Sequence, residues 1–430
     1  MKRLRPYGCH IKHLLIVTVA LILSQNINLE CRAEEQKQVR FEQPKPFRFG
    51  IDYLAQPIVN PAGGRTSELS WLNGLWLQLE LGFGLNRKQE EWQEIDHWVF
   101  KLETAVVRGN SNYYKQVGAA YPLQSMTSSG QWLSDLSIRR EPGKSGIGVK
   151  AGIFSLNPGF MESAIFNHYV HSAINNTINN EVLAIPIAPL TSWGVQMDIQ
   201  LPSDDQSQQL RIGAFTVVPT NTFGQSIEPG STPVNLNGAI GLIQWQRGLS
   251  NHQSNKNKNP RAETHSIPDV LPEAGIMIGG YWSDTQPEQK PNTQQTELPD
   301  GINRGIYATS TIALPSSVTG GLHSRAWAAG HYGFDWSNNP APVSWGLGIL
   351  LQGLIPGRPL DITGIAGSST GFSPSINPVQ TQESLMEINH QIHISPNLSL
   401  KPFAQLILSP SGIPSRPSIL ATGIQAAIQF

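Results

Sequence analysis

The chain has 430 residues, of which only 14% are charged, and a formal net charge of −1. Ordinary soluble domains carry about 25% charged residues, and this near-neutral balance gives no reason to expect nucleic-acid binding. No run of 18 apolar residues occurs beyond the N-terminal segment, which argues against helical membrane spans. The 40 glycines and 32 prolines favour a chain of many strands and turns.

The N-terminal segment has the pattern of a secretory signal peptide. Basic residues at positions 2, 3, 5 and 12 precede an apolar run from Leu14 to Leu23, and Ala33 is a small residue at the expected cleavage site. The alternative is an N-terminal anchor helix, but the apolar run is too short to span a bilayer. We therefore predict a signal peptide at 1–33, a short polar leader at 34–46 and one barrel domain at 47–430.

This boundary changes the chemistry expected of the mature chain. Cys9 and Cys31 both lie within the predicted signal, so disulfides, thiol nucleophiles and cysteine metal ligands are not expected. The segment also holds five of the 30 basic residues and one of the 31 acidic residues, which leaves a formal charge of −5.

From Phe47 onward, apolar residues alternate with polar or small ones, the period of a β-strand with two different faces. Bacterial single-chain barrels have an even number of strands. We therefore expect 16 strands, one more than the sequence reveals. The recognisable segments are 47–53, 75–83, 98–107, 131–139, 147–154, 193–201, 210–216, 238–247, 274–283, 305–314, 322–331, 345–354, 386–394, 398–408 and 419–430.

The connections also indicate a missing strand. The turn at 395–397 and the loops at 409–418 and 355–384 alternate in length, as a barrel requires. The connections 155–192 and 284–304, however, are long where short turns are expected. A missed strand or an inward-folded loop would explain this discrepancy.

The polar face of these strands separates a membrane barrel from a soluble sheet protein. A soluble face should be rich in Lys, Glu and Asp, whereas this one carries Gln, Gly, Asn and isolated charges. Such a face suits a narrow, wet lumen, and the chain ends on the aromatic Phe430, which would sit at the membrane interface. The sequence therefore predicts an all-β fold, a transmembrane antiparallel β-barrel. The alternative is a secreted β-sheet protein without a membrane role.

No motif predicts catalysis or a cofactor. The stretch Gly367–Gly371 matches G-x-S-x-G, but a hydrolase elbow lies between a strand and a helix, and residues 372–375 cannot begin a helix. We interpret it as a loop. No metal-protease motif or phosphate-binding loop occurs, so no catalytic residue, metal site or cofactor is predicted.

Strand parity identifies candidate pore-lining residues, because alternate side chains point into the lumen. The alternative is that these charges pair with one another and brace the wall. The loop 155–192 is long enough to fold inward, and its amides beside aromatics suit sugar hydroxyls and ring faces. The alternative is an ordinary surface loop with helical turns. The pore-lining candidates are Lys101, Glu103, Lys150, Asp198, Arg211, Arg325 and Lys401, and the constriction-loop candidates are Phe166, Asn167, Asn175 and Asn176.

Several short motifs, in order, resemble one known family. They are Lys150–Phe154 with Asn157-Pro158, Trp193-Gly194-Val195, Arg211-Ile212-Gly213, Pro356–Asp361, Leu400-Lys401-Pro402 and Ser409–Gly412. The chain resembles the carbohydrate-selective porins of the OprB type from about residue 50 to its end. Residues Asn389-His390 and the expanded 284–304 stretch depart from the family pattern, which leaves the solute open.

The resemblance implies a 16-stranded barrel in the outer membrane of a Gram-negative-type bacterium. It implies passive passage of carbohydrates or small polar solutes past a charged constriction, contact with outer-membrane lipid, and a homotrimer. A general porin for ions and small solutes, without sugar preference, is the alternative within the same class.

Overall fold

The computed structural model describes residues 47–83, 98–126, 129–142, 145–157, 159–175, 185–188, 190–203, 208–217, 238–248, 269–285 and 301–430. The predicted signal peptide and leader lie outside these ranges. Within them, 16 antiparallel strands form a closed barrel in which each strand pairs with its neighbours in the chain and β16 pairs with β1. The predicted all-β barrel is therefore confirmed.

The strands follow one another in sequence around the wall. They are β1 (Phe47–Ala62), β2 (Leu69–Phe83), β3 (Trp98–Gly109), β4 (Gly130–Arg140), β5 (Ile147–Phe154), β6 (Ser192–Gln200), β7 (Gln208–Thr216), β8 (Gly238–Arg247), β9 (Gly275–Thr285), β10 (Gly301–Ala313), β11 (His323–Gly333), β12 (Val343–Gln352), β13 (Ile362–Gly371), β14 (Gln382–Ser395), β15 (Leu398–Leu408) and β16 (Ile419–Gln429). Short helices are α1 (Tyr113–Val117), α2 (Ser172–Asn175) and α3 (Ser316–Thr319), with 3₁₀ turns at Ala164–His168 and Pro410–Gly412.

The strand that the sequence did not reveal is β13. It contains G-x-S-x-G, so the prediction of a loop at 355–384, and of a loop at Gly367–Gly371, is wrong: Gly367 pairs with Leu347 on one side and Met386 on the other. Its residues are small and weakly polar on both faces, so they carry no period-two signal. Restoring β13 puts the connections 155–192 and 284–304 at the end of the barrel where long loops belong.

The two ends of the barrel differ in their connections. One end carries the tight turn after β14, the start of β1 and the C terminus, where Phe430 exchanges backbone hydrogen bonds with Ile51 (2.9 and 3.0 Å). We call this the short-turn end and the other the long-loop end. In membrane barrels of this type the short turns face the periplasm.

The outward surface is apolar, with aromatic side chains towards both ends. Ile, Leu and Val occupy exposed mid-strand positions such as Leu347 and Ile388. Exposed aromatics lie near the long-loop end (Trp71, Trp193, Trp282, Tyr332, Trp345) and near the short-turn end (Phe47, Phe49, Phe83, Trp98, Phe430). An apolar band between two aromatic girdles is the surface that a barrel presents to lipid. Among the described residues, no helix is long and apolar enough to cross a membrane.

The core lies inside the barrel as three clusters of buried apolar residues, the largest of which lies along β11–β16 and β1. Two connections fold inward: the first inward segment, 113–126, follows β3, and the second inward segment, 159–175, follows β5. Their buried apolar residues include Leu123, Ile165 and Tyr169, and they pack on the lumen side of β11–β16 and β1. The wall residues of this cluster include Trp327, Leu350, Leu385, Phe403, Ile407 and Ile419.

Candidate functional site

The lumen wall of β2–β7 carries a ladder of charged and amide side chains in the half nearer the short-turn end. Register places these residues side by side: Glu103 lies opposite Gln78 and Asp135, and Lys150 lies opposite Arg139 and Gln196. Because alternate residues of each strand point inward, matched positions on successive strands form a continuous row. The polar ladder consists of Gln78, Glu80, Lys101, Glu103, Asp135, Arg139, Lys150, Gln196, Asp198 and Arg211.

Cations and carboxylates of the polar ladder are paired. Lys101 Nζ lies 2.8 Å from Glu103 Oε2, and Lys150 Nζ lies 2.8 Å from Asp135 Oδ2. Arg139 Nη2 lies 3.1 Å from Glu80 Oε1. All of these side chains keep part of their surface accessible, apart from the nearly buried Asp135. The ladder therefore presents alternating charges of both signs rather than a field of one sign.

Arg211 belongs both to the polar ladder and to the support of the second inward segment. Its guanidinium pairs with Asp198, donates to the carbonyl of Gly159, and lies 5.8 Å from the centre of the Phe160 ring. Gln244, on the adjacent strand, accepts the N–H of Met161 at 3.0 Å. The start of the second inward segment is thus tied to β7 and β8.

Two glutamates on β14 hold the inward segments to the opposite wall. Oε1 and Oε2 of Glu387 accept the backbone N–H groups of Val170 (2.8 Å) and His171 (2.7 Å) in the second inward segment. Glu383, four residues earlier and on the same face, accepts the N–H of Ala120 (2.8 Å) in the first inward segment. Ionised carboxylates bind backbone N–H groups more strongly than neutral acceptors do. Both segments are therefore anchored to one strand.

The predicted pore-lining residues divide into two groups. Lys101, Glu103, Lys150, Asp198 and Arg211 all lie on the polar ladder, as described above. Lys401 and Arg325 lie elsewhere: Lys401 is only 3% exposed and donates to the carbonyl of Asn167 (3.1 Å), and Arg325 pairs with Asp269 (2.7 Å). These two contacts correspond to the alternative interpretation, in which a charge braces the wall.

The constriction-loop candidates also have different surroundings. Phe166 is only 1% exposed and packs edge-on against Trp327, with ring centres 5.2 Å apart, so the expectation that it faces the solute is wrong. Asn175 donates to the carbonyls of Phe166 (3.1 Å) and Tyr169 (3.2 Å) and so stabilises the fold of the second inward segment. The side chain of Asn167 is exposed. Asn176 lies outside the described residues.

The buried histidines of the second inward segment add no positive charge to the lumen. Burial lowers the pKa of His171 to about 3, and burial together with the nearby Lys401 lowers the pKa of His168 to about 3. Both imidazoles are therefore neutral near pH 7. Within the described ranges no three His, Cys, Asp or Glu side chains are grouped as metal ligands would be.

Sequence reasoning did not identify Glu383, Glu387, Asp135 or Gln244. The available signal was a pair of glutamates at inward parity on β14, a strand otherwise made largely of apolar and amide residues. A buried carboxylate needs hydrogen-bond partners. Such a pair therefore indicates that another segment of the chain packs against that strand. It does not show which segment supplies the partners.

Comparison with known proteins agrees with this architecture. Residues 91–430 match the family described as "Carbohydrate-selective porin, OprB family". No curated protein matches the chain. The high-pH structure of Pseudomonas putida OprB is 15% identical, with a TM-score of 0.71 over 90% of this chain and 94% of that one. The low-pH structure of the same protein is 14% identical, with a TM-score of 0.51 over 90% of this chain and 93% of that one.

At these identities the solved structures show the fold alone, whereas the family match spans most of the chain. A closed 16-stranded barrel, an apolar outward surface and a polar ladder in the lumen are the features of a channel protein. The chain belongs to the carbohydrate-selective porin family of the OprB type, and it is a channel of the Gram-negative outer membrane.

Proposed function

We propose that carbohydrates and other small polar solutes diffuse passively along the polar ladder, between it and the inward segments. The observation that carries this proposal is the asymmetry of the lumen. Apolar packing covers the inward faces of β11–β16, whereas β3–β5 carry paired charges that are partly accessible in the half nearer the short-turn end. Solutes that form hydrogen bonds can exchange hydration water for such groups at small cost.

An amide side chain supplies contacts that suit sugar hydroxyls. Gln78, opposite Glu103 on the polar ladder, is partly exposed and donates to Asp52 on β1 (3.1 Å). An amide both donates and accepts, as a hydroxyl does. A general porin without sugar preference is the alternative, and block of the ion current by added sugars distinguishes the two.

The double variant Arg211→Ala with Lys150→Ala tests the path. Removing both cations takes away the positive charge nearest to Asp198 and to Asp135, so the passage becomes more negative. We expect ion selectivity to shift towards cations and sugar block to weaken, measured by reversal potential and single-channel current in planar bilayers.

The control is Arg304→Ala, which removes an exposed arginine paired with Asp335 on the outward side of β10 near the long-loop end. That variant should keep the permeability ratio and sugar block of the parent. If the double variant also keeps both values while its barrel remains folded, solutes do not pass along the polar ladder.

We further propose that the chain forms a homotrimer, as the family resemblance suggested. Supporting this, β2 and β3 turn the polar side chains of Asn73 and Thr104 towards the outside, in line with Leu75 and Leu77. An amide facing hydrocarbon is costly, and a protein neighbour would supply its partners. The mass of the detergent-solubilised particle tests this proposal, and a particle of one chain would contradict it.

A further inference from the structure

A stretch of backbone lies inside the lumen at the short-turn end, directly before β9. Residues 269–274 precede β9 and lie against the inward faces of β11 and β12. Leu271 is buried in the same apolar cluster as Trp327 and Leu350. We call residues 269–274 the ledge.

Two side chains of the wall hold the ledge. Arg325 donates from Nη2 to Asp269 Oδ2 (2.7 Å) and from Nε to the carbonyl of Pro272 (2.7 Å). Gln352 accepts the N–H of Val270 at 3.0 Å. A guanidinium that binds a carboxylate and a carbonyl together fixes both position and direction. The inward charge of Arg325 is therefore used to hold backbone.

The ledge lies on the wall opposite the polar ladder. In a ring of 16 strands, β11 and β12 stand eight strands from β3 and β4, which is the opposite wall. Lys101, Glu103 and Arg139 lie on β3 and β4 in the half nearer the short-turn end, the same end as the ledge. A solute that passes along the polar ladder therefore leaves the barrel between these charges and the ledge.

We propose that the ledge is a second narrow point of the channel, at the short-turn exit, and that Arg325 and Gln352 position it. Its exposed residues, Val270 and Glu273, select among solutes that have passed the inward segments. This inference rests on solute passage along the polar ladder but concerns a different part of the path.

The test introduces a thiol on the ledge without disturbing its backbone contacts. Val270→Cys keeps the N–H that binds Gln352, and the valine side chain is 40% exposed. We expect a charged methanethiosulfonate reagent to react faster from the short-turn side and to lower single-channel conductance about twofold. The double variant Val270→Cys with Arg325→Met should release the ledge. Its thiol should still be labelled, but labelling should then have little effect on conductance.

Val318→Cys is the matched control. Val318 lies in α3, in the turn between β10 and β11 at the same end, and is 71% exposed. Its labelling should leave conductance unchanged. The ledge proposal is overturned if Val270→Cys is not labelled, or if its labelling affects conductance no more than labelling of Val318→Cys. A different outcome would refute passage along the polar ladder. In that outcome Arg211→Ala with Lys150→Ala leaves ion selectivity and sugar block unchanged, while labelling of Val270→Cys still lowers conductance.

Discussion

Replacing Glu387 by glutamine is expected to increase single-channel conductance and current noise, because the second inward segment loses a hydrogen bond to β14. The carboxylate accepts N–H groups from Val170 and His171, one on each oxygen. Glutamine has a single acceptor oxygen, and its NH₂ group would face the other backbone N–H. A hydrogen bond to a charged group contributes about 1.5–3 kcal/mol, so its loss weakens the attachment of this segment to β14.

Two measurements separate release of the segment from other effects. Conductance in planar bilayers reports the open area, and limited proteolysis of the folded barrel reports exposure of 159–175. Gln405 and Asn389 also donate to Glu387 (3.1 and 2.8 Å), so the variant changes the acceptor of these two amides as well. Heat-modifiable gel mobility should confirm that the barrel still forms.

The control for Glu387→Gln is Glu141→Gln. Glu141 pairs with Arg139 (3.2 Å), and no contact with an inward segment is described for it. This variant removes the same charge, so it should alter ion selectivity at most and leave current noise and proteolysis unchanged. Equal behaviour of the two variants would show that Glu387 acts through its charge alone and does not position the segment.

Placing an arginine at Ile424 is expected to destabilise the barrel by about 2–4 kcal/mol, the cost of a cation near the lipid midplane. Ile424 lies at the middle of β16 on the outward face and is 48% exposed. Its strand closes the barrel by pairing with β1, so local loss of pairing affects the whole ring. The free energy of unfolding in lipid vesicles, from denaturant titration, measures the effect.

Ile424→Leu is the matched variant, since it keeps the apolar surface and the position. It should unfold within about 1.5 kcal/mol of the parent, as conservative apolar exchanges do. If arginine and leucine at this position give equal unfolding free energies, the outward face of β16 does not contact lipid.

Most of the barrel could be predicted because each strand has one face towards lipid and the other towards the lumen. Outward residues such as Leu347 and Ile388 are apolar, and many inward residues, such as Glu387, are polar, so most strands show a period of two. The exception, β13, lies where the inward side is covered by the second inward segment and where small residues suffice on both faces. Tyr169, for example, approaches Gly364 within 3.1 Å of where a Cβ would lie. Packing from another part of the chain removed the signal there.

The polar ladder follows from strand parity, which depends only on local backbone geometry. That is why Lys101, Glu103, Lys150, Asp198 and Arg211 could be placed in the lumen from their positions in the sequence. Their pairing could not be predicted in the same way, because it depends on register. Asp135 meets Lys150 only through the particular alignment of β4 with β5.

The sequence determined the strands of the barrel, whereas the tertiary structure decided how the inward segments are held. Alternation along each strand determined a closed barrel with an apolar exterior and a polar lumen, since each residue responds to the face on which it lies. The passage itself depends on contacts between residues far apart in the chain. Glu387 is 217 positions from Val170, and Arg325 is 56 positions from Asp269. Such contacts arise only when the ring closes and brings β14 and β11 to the inward-folded chain, so the burial of Phe166 and the position of the ledge were decided by the tertiary structure.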